Sequence, residues 1–101
     1  MINVAIVGGG FMGQTHGGAW SALAGRARVV VVSSRSHERA ARVAALCGAE
    51  STDDLYGPLE RADVDVVDIC LPTPQHREAA ERAFAAGKHV LLEKPIALTL
   101  E

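Results

Sequence analysis

Aromatic residues are scarce in this sequence: two phenylalanines, one tryptophan (Trp20) and one tyrosine (Tyr56) among 101 residues. That scarcity removes the stacking platforms by which proteins hold single-stranded nucleic acid. A basic stripe is missing too. Ten lysines and arginines stand against 12 acids, for a formal net charge of -2, and both signs are spread along the chain. No nucleic-acid partner is expected. No apolar run nears the length of about 20 residues that spans a membrane. The first apolar run, Ile2 to Val7, passes straight into glycines and not into a cleavage site, so no signal peptide is expected. The cytoplasm is the expected compartment. Cysteine is limited to Cys47 and Cys70, which form no CxxC pair. They read as two reduced thiols packed as small hydrophobes, and no metal site is expected.

What the sequence does have is a hydrophobic fraction of 49%, enough for a core in one domain over residues 1–101. Two textures alternate. Ile2 to Val7 is short and rich in β-branched residues, a buried strand. Phe11 to Ala24 is helical, with Met12, His16, Ala19, Trp20 and Leu23 at helical spacing. Val29 to Val32 is a second buried strand. Ser36 to Cys47 is a second helix, with Ala40, Val43, Ala44 and Cys47 on one face and Arg39 and Arg42 away from it. A short strand around Ala49 and Glu50 follows, then a small helix near Asp53 to Leu59. Val64 to Leu71 is a strand, Pro74 to Ala86 a helix stopped by Gly87, and His89 to Glu93 a last strand.

Strands apolar throughout, alternating with helices, predict α/β architecture: a doubly wound parallel sheet of the Rossmann type. A full dinucleotide-binding sheet has about six strands, and only five are visible here. The expectation is a fold truncated before its last strand, with His89 to Glu93 left as an apolar edge that some other segment covers.

Gly8-Gly9-Gly10-Phe11-Met12-Gly13 fits G-x-G-x-x-G, after a strand and at the start of a helix, which is the context that gives the motif meaning. Gly8 permits the tight turn. Gly10 lets the backbone approach a pyrophosphate, and Gly13 lets helix and strand pack closely. Main-chain N–H groups around Phe11 and Met12 face the anion. Gly17 is read as a close-packing residue, and His16 either as a packed helix residue or as a ligand group.

About 20 residues past such glycines, an NAD-binding domain places an acid on the adenosine ribose. Here Ser34 holds that position, followed by Arg35, and no carboxylate occurs between Arg26 and His37. A hydroxyl and a guanidinium suit a 2′-phosphate. The expected cofactor is NADP, with NAD as the alternative because Arg35 can also lie over adenine. Leu71-Pro72-Thr73-Pro74-Gln75-His76 follows a strand end, where α/β sheets bind ligands. Thr73 reads as the N-cap of the next helix. Asp68 interrupts a buried strand and needs hydrogen-bond partners that the sequence does not identify. Glu93-Lys94-Pro95 ends the last strand. A partly buried lysine beside a cationic nicotinamide suits proton transfer.

Together, the glycine turn with His16, Ser33-Ser34-Arg35, Leu71 to His76, and Ala86-Gly87-Lys88-His89-Val90-Leu91-Leu92-Glu93-Lys94-Pro95 resemble the glucose–fructose oxidoreductase / inositol dehydrogenase / rhizopine-catabolism (Gfo/Idh/MocA) family. The resemblance covers essentially the whole chain. It implies an N-terminal Rossmann domain of an NAD(P)-dependent oxidoreductase that moves hydride to or from a sugar, inositol or related polyol. It also implies a C-terminal domain through which the full protein forms homo-oligomers. Under it, Lys94 is the catalytic lysine of the E-K-P motif. Glu93 and His76 lie near the nicotinamide half, and Thr73 and Pro74 along the dinucleotide. The family's remaining catalytic groups come from the C-terminal domain, which these residues do not include. A non-catalytic dinucleotide-binding module is the rival reading.

Overall fold

The computed structural model describes residues 1–23 and 25–92, and of Phe11 and Met12 only the main chain. Strands β1 (Ile2–Val7), β2 (Ala27–Ser33), β3 (Glu50–Thr52), β4 (Val66–Ile69) and β5 (His89–Leu92) form one sheet in the order β3-β2-β1-β4-β5. Every pairing is parallel. Helices α1 (Phe11–Ser21), α2 (His37–Cys47) and α3 (His76–Ala85) connect the strands. The order reverses at β1, so a crevice opens at the carboxyl ends of β1, β2 and β4.

Side chains of successive strand residues point to opposite faces. In β1, Val4 and Ile6 enter one core with Val43 and Ala44 of α2. Ala5 and Val7 enter the other with Ala79 and Ala83 of α3. The sheet carries the bulk: Val4, Ile6, Val7, Val32, Val67 and Ile69 are at most 1% exposed. Each such burial is worth about 1.5–3 kcal/mol. The helices answer mainly with alanine, which lets them lie close. The valine run of β2 is not regular. Val4 pairs with Val29 and Ala5 with Val31, so Val30 is a bulged residue.

The architecture agrees with the sequence expectation, and the differences are local. Helix α1 ends at Ser21, short of Ala24, and β4 is confined to Val66–Ile69. The third strand starts at Glu50, and Asp53 to Leu59 yields a single 3₁₀ turn at Gly57–Glu60. Thr73 is not an N-cap. The two prolines set a 3₁₀ turn at Thr73–Gln75, and α3 begins after it with Gln75 in the cap position and no capping side chain. Gly87 has φ +76°, the left-handed stop expected of it. Among the described residues β5 pairs only with β4, and Leu91 on it is 44% exposed.

Candidate functional site

The turn after β1 is dictated by contact with the end of β4. Gly8 has φ +114°, and a Cβ there would stand 2.5 Å from the carbonyl oxygen of Cys70. Its N–H donates to Ser33 O at 2.7 Å, which fastens the turn to β2 as well. A Cβ on Gly13 would overlap the carbonyl oxygen of Gly8, so the first turn of α1 rests on the loop itself. A Cβ on Gly10 would meet nothing within 4 Å, because this residue faces open space. Gly10 is the N-cap of α1 and supplies no capping side chain. The first N–H groups of a helix lack intrahelical acceptors. The ladder starts with Gln14 N–H to Gly10 O at 3.1 Å. The main chain of Phe11, Met12 and Gly13 therefore presents the positive end of the helix dipole, with no acid in the first turn.

Ser34 and Arg35 follow β2. Ser34 is 7% exposed, and its Oγ accepts the N–H of Ser36 at 3.2 Å. The cap of α2 is Ser36, whose Oγ accepts the N–H of Arg39. Ser34 is thus not the helix cap. The Arg35 guanidinium donates to Gln75 Oε1 at 2.9 Å, which bridges the tip of β2 to the turn after β4. In that turn His76 is buried, and its Nε2–H donates to Leu71 O at 2.7 Å. This bond fixes the tautomer and braces the proline turn.

These pieces enclose a cleft of about 350 Å³. Of the residues singled out by sequence, Gly8, Gly10, Ser34, Arg35 and Leu71 line it. Gly9, Arg39, Leu55, Cys70 and Pro72, which were not among the candidate site residues, line it too. Thr73, Pro74 and His76 are not in its lining; they follow Leu71 and Pro72 in the same turn. Glu93 and Lys94 lie outside the described residues. Arg39 was legible only as a charge off the apolar face of α2. It joins the cleft because the first turn of α2 lies against the glycine turn, where a Cβ on Gly9 would come 3.0 Å from Arg39. Among the described residues, no acid is in this lining. Larger hollows of about 530 and 470 Å³ involve neither the glycine turn nor the tip of β2.

The buried carboxylate has partners. Asp68 is fully buried and accepts from His16 Nδ1 at 2.7 and 2.8 Å, from Trp20 Nε1 at 2.8 Å, and from the Cys70 thiol at 3.5 Å. A carboxylate oxygen of Asp68, His16 Nδ1 and Cys70 Sγ all lie within 4.8 Å of one another, close enough to hold a metal ion. The carboxylate–imidazole separation is, however, that of a direct hydrogen bond, and the indole donates to the same group. Hydrogen bonding accounts for the cluster. Gly17 is the close-packing residue expected: a Cβ there would come 3.1 Å from Cys47 Sγ. Burial pushes the Cys47 thiol above its usual pKa, partly countered by a hydrogen bond with Ser21.

Residues 2–101 match the Gfo/Idh/MocA family, described as an oxidoreductase family with an NAD-binding Rossmann fold. The chain is 40% identical over 109 aligned residues to levoglucosan dehydrogenase of Pseudarthrobacter phenanthrenivorans, covering 99% of this chain and 28% of that protein. It is 37% identical to inositol 2-dehydrogenase 2 of Saccharopolyspora erythraea, covering 99% of this chain and 30% of that protein. Among solved structures, levoglucosan dehydrogenase in complex with NADH and L-sorbose superposes with a TM-score of 0.87 at 36% identity, over 96% of this chain and 28% of that one. A 3-ketoreductase from Actinomadura kijaniata in complex with NADP superposes with a TM-score of 0.86 at 34% identity, over 95% of this chain and 31% of that one. The chain thus spans under a third of the length of these relatives.

Proposed function

The chain belongs to the Gfo/Idh/MocA oxidoreductase family, and from that premise we propose that it holds NADP, or alternatively NAD, in a dehydrogenase or reductase of sugars, inositols or related polyols. One observation carries the cofactor assignment: the glycine turn and the guanidinium-bearing residues Arg35 and Arg39 line a single cleft with no acid among its described lining residues. The pyrophosphate would lie on the main chain of Gly10 to Gly13, where Gly10 leaves room. A 2′-phosphate would lie at the tip of β2, received by Ser34, Arg35 and Arg39. The bound nicotinamide supplies hydride transfer, and this domain supplies its orientation.

The turn from Leu71 to His76 would flank the nicotinamide side, held in shape by the His76–Leu71 bond. In this reading Lys94 hydrogen-bonds a substrate hydroxyl and moves its proton, and Glu93 adjoins the cofactor. The relatives' names supply the substrate class: inositol in one, levoglucosan in another. Substrate-selecting groups, and the contacts between copies, would lie in the rest of the protein. The test is titration of the full-length protein with NADPH and with NADH, followed by nicotinamide fluorescence. Tighter NADPH binding is expected. Tighter NADH binding would overturn the role given to the β2 tip, and binding of neither would overturn the dinucleotide reading.

A further inference from the structure

Helix α1 carries the proposed pyrophosphate site, and among its described residues the apolar contacts with the core are those of Gly17 and Trp20. Among its described side-chain positions only Gly13 and Gly17 are buried. Glycine inside a helix costs about 1 kcal/mol relative to alanine, and α1 contains Gly17 and Gly18 in succession. Its N-terminus has no capping side chain. Further contacts of the helix are polar and reach across the molecule. His16 and Trp20 are four residues apart, so they share one helix face. Both donate to the carboxylate of Asp68, at 2.7–2.8 Å. Asp68 is fully buried on β4, two residues before Cys70, whose carbonyl oxygen occupies the space a Cβ on Gly8 would need.

We infer that Asp68 is a positioning residue for the dinucleotide: through His16 and Trp20 it sets the rotation of α1, and with it the aim of the main-chain N–H groups at the glycine turn. The inference rests on the dinucleotide reading above. A buried carboxylate is suited to this work because it must be satisfied. Any rotation of α1 that withdraws the imidazole and indole leaves a buried charge short of donors, at a steep cost. An apolar contact would tolerate the same rotation with little loss.

The test uses the full-length protein and two probes, ADP-ribose and adenosine, each displacing bound reduced dinucleotide. Only ADP-ribose reaches the helix terminus. His16→Leu is expected to weaken ADP-ribose about tenfold, the equivalent of ~1.4 kcal/mol, and to leave adenosine within about twofold. His16→Asn keeps an N–H donor and is expected to recover most of the loss. Trp20→Phe keeps the ring and is expected to show a smaller loss with the same selectivity. Unchanged ADP-ribose binding in His16→Leu would overturn the inference. So would equal loss of both probes, which signals general unfolding, or failure of asparagine to rescue. If the unaltered protein binds neither NADPH nor NADH, the dinucleotide reading itself falls, a result distinct from all of these.

Discussion

Replacing Gly8 and Gly10 by alanine, one at a time, should separate folding from binding. At Gly8 the added methyl meets two obstacles. The backbone angle of +114° is one that residues with a Cβ rarely adopt, and the Cβ would sit 2.5 Å from Cys70 O and 2.7 Å from Cys70 C. The first costs about 1–3 kcal/mol, and overpacking against backbone costs about 1–3 kcal/mol more. The sum, about 2–6 kcal/mol, is a large part of the 5–15 kcal/mol typical of a domain this size. At roughly 4–8 °C per kcal/mol, the melting temperature should fall by about 10 °C or more. At Gly10 no atom lies within 4 Å of the new methyl and φ is −80°, so stability should change by less than about 0.5 kcal/mol. Dinucleotide affinity should nonetheless drop, because the methyl stands where the pyrophosphate would approach. Circular-dichroism melting and cofactor titration of both variants provide the comparison. Melting of Gly8→Ala within about 2 °C of the parent would refute the strain argument. Undiminished cofactor binding by Gly10→Ala would refute the placement of the pyrophosphate.

Removing both guanidinium groups, Arg35→Ala with Arg39→Ala, should weaken NADPH more than tenfold and leave NADH within about threefold, since charge-assisted bonds to a phosphate are worth roughly 1.5–3 kcal/mol; parallel loss of both cofactors would contradict it. Lys94→Ala should lower turnover by about 10²-fold or more with cofactor binding nearly intact, the usual scale for a lost acid–base group, and full activity in steady-state assays would remove Lys94 from the mechanism. The Cys47 thiol, raised by burial, stays protonated at neutral pH. Its alkylation by iodoacetamide should therefore lag behind that of an unstructured cysteine peptide and catch up only above the ordinary thiol range; equal rates at neutral pH would contradict the shift.

The strands and helices were legible because β-branched runs and helical spacing alternate cleanly, and because Gly8, Gly10 and Gly13 each answer a distinct local demand. Boundaries drifted where neighbouring chain decides them. Val64 and Leu71 belong to the apolar run of β4 but extend past its ladder partners, and Thr73 loses the cap position to a proline-driven 3₁₀ turn. The cleft was half legible. Ser34 and Arg35 stood at the expected offset from the glycines, whereas Arg39 enters only once α2 is laid against the turn. The partners of Asp68 lie 52 and 48 residues away, a separation that no local pattern encodes. A sharper signal was present in His16 and Trp20, two ring N–H donors one helical turn apart on the same helix.

The bulge at Val30 also says something about how this chain tolerates a change of length. Deleting a residue from a strand interior normally turns every later side chain to the wrong face. Here Val30 and Val31 both lie toward the α3 side, while Val29 and Val32 lie toward α2. Removing one of the four valines would erase the doubled residue and leave Ser33 opposite Val7, as it is now. The alternation of faces would become regular. Strand β2 thus carries a spare residue in mid-sheet, and a frame-preserving deletion there could pass with the tip of the strand still in place, a freedom that surface loops usually keep to themselves.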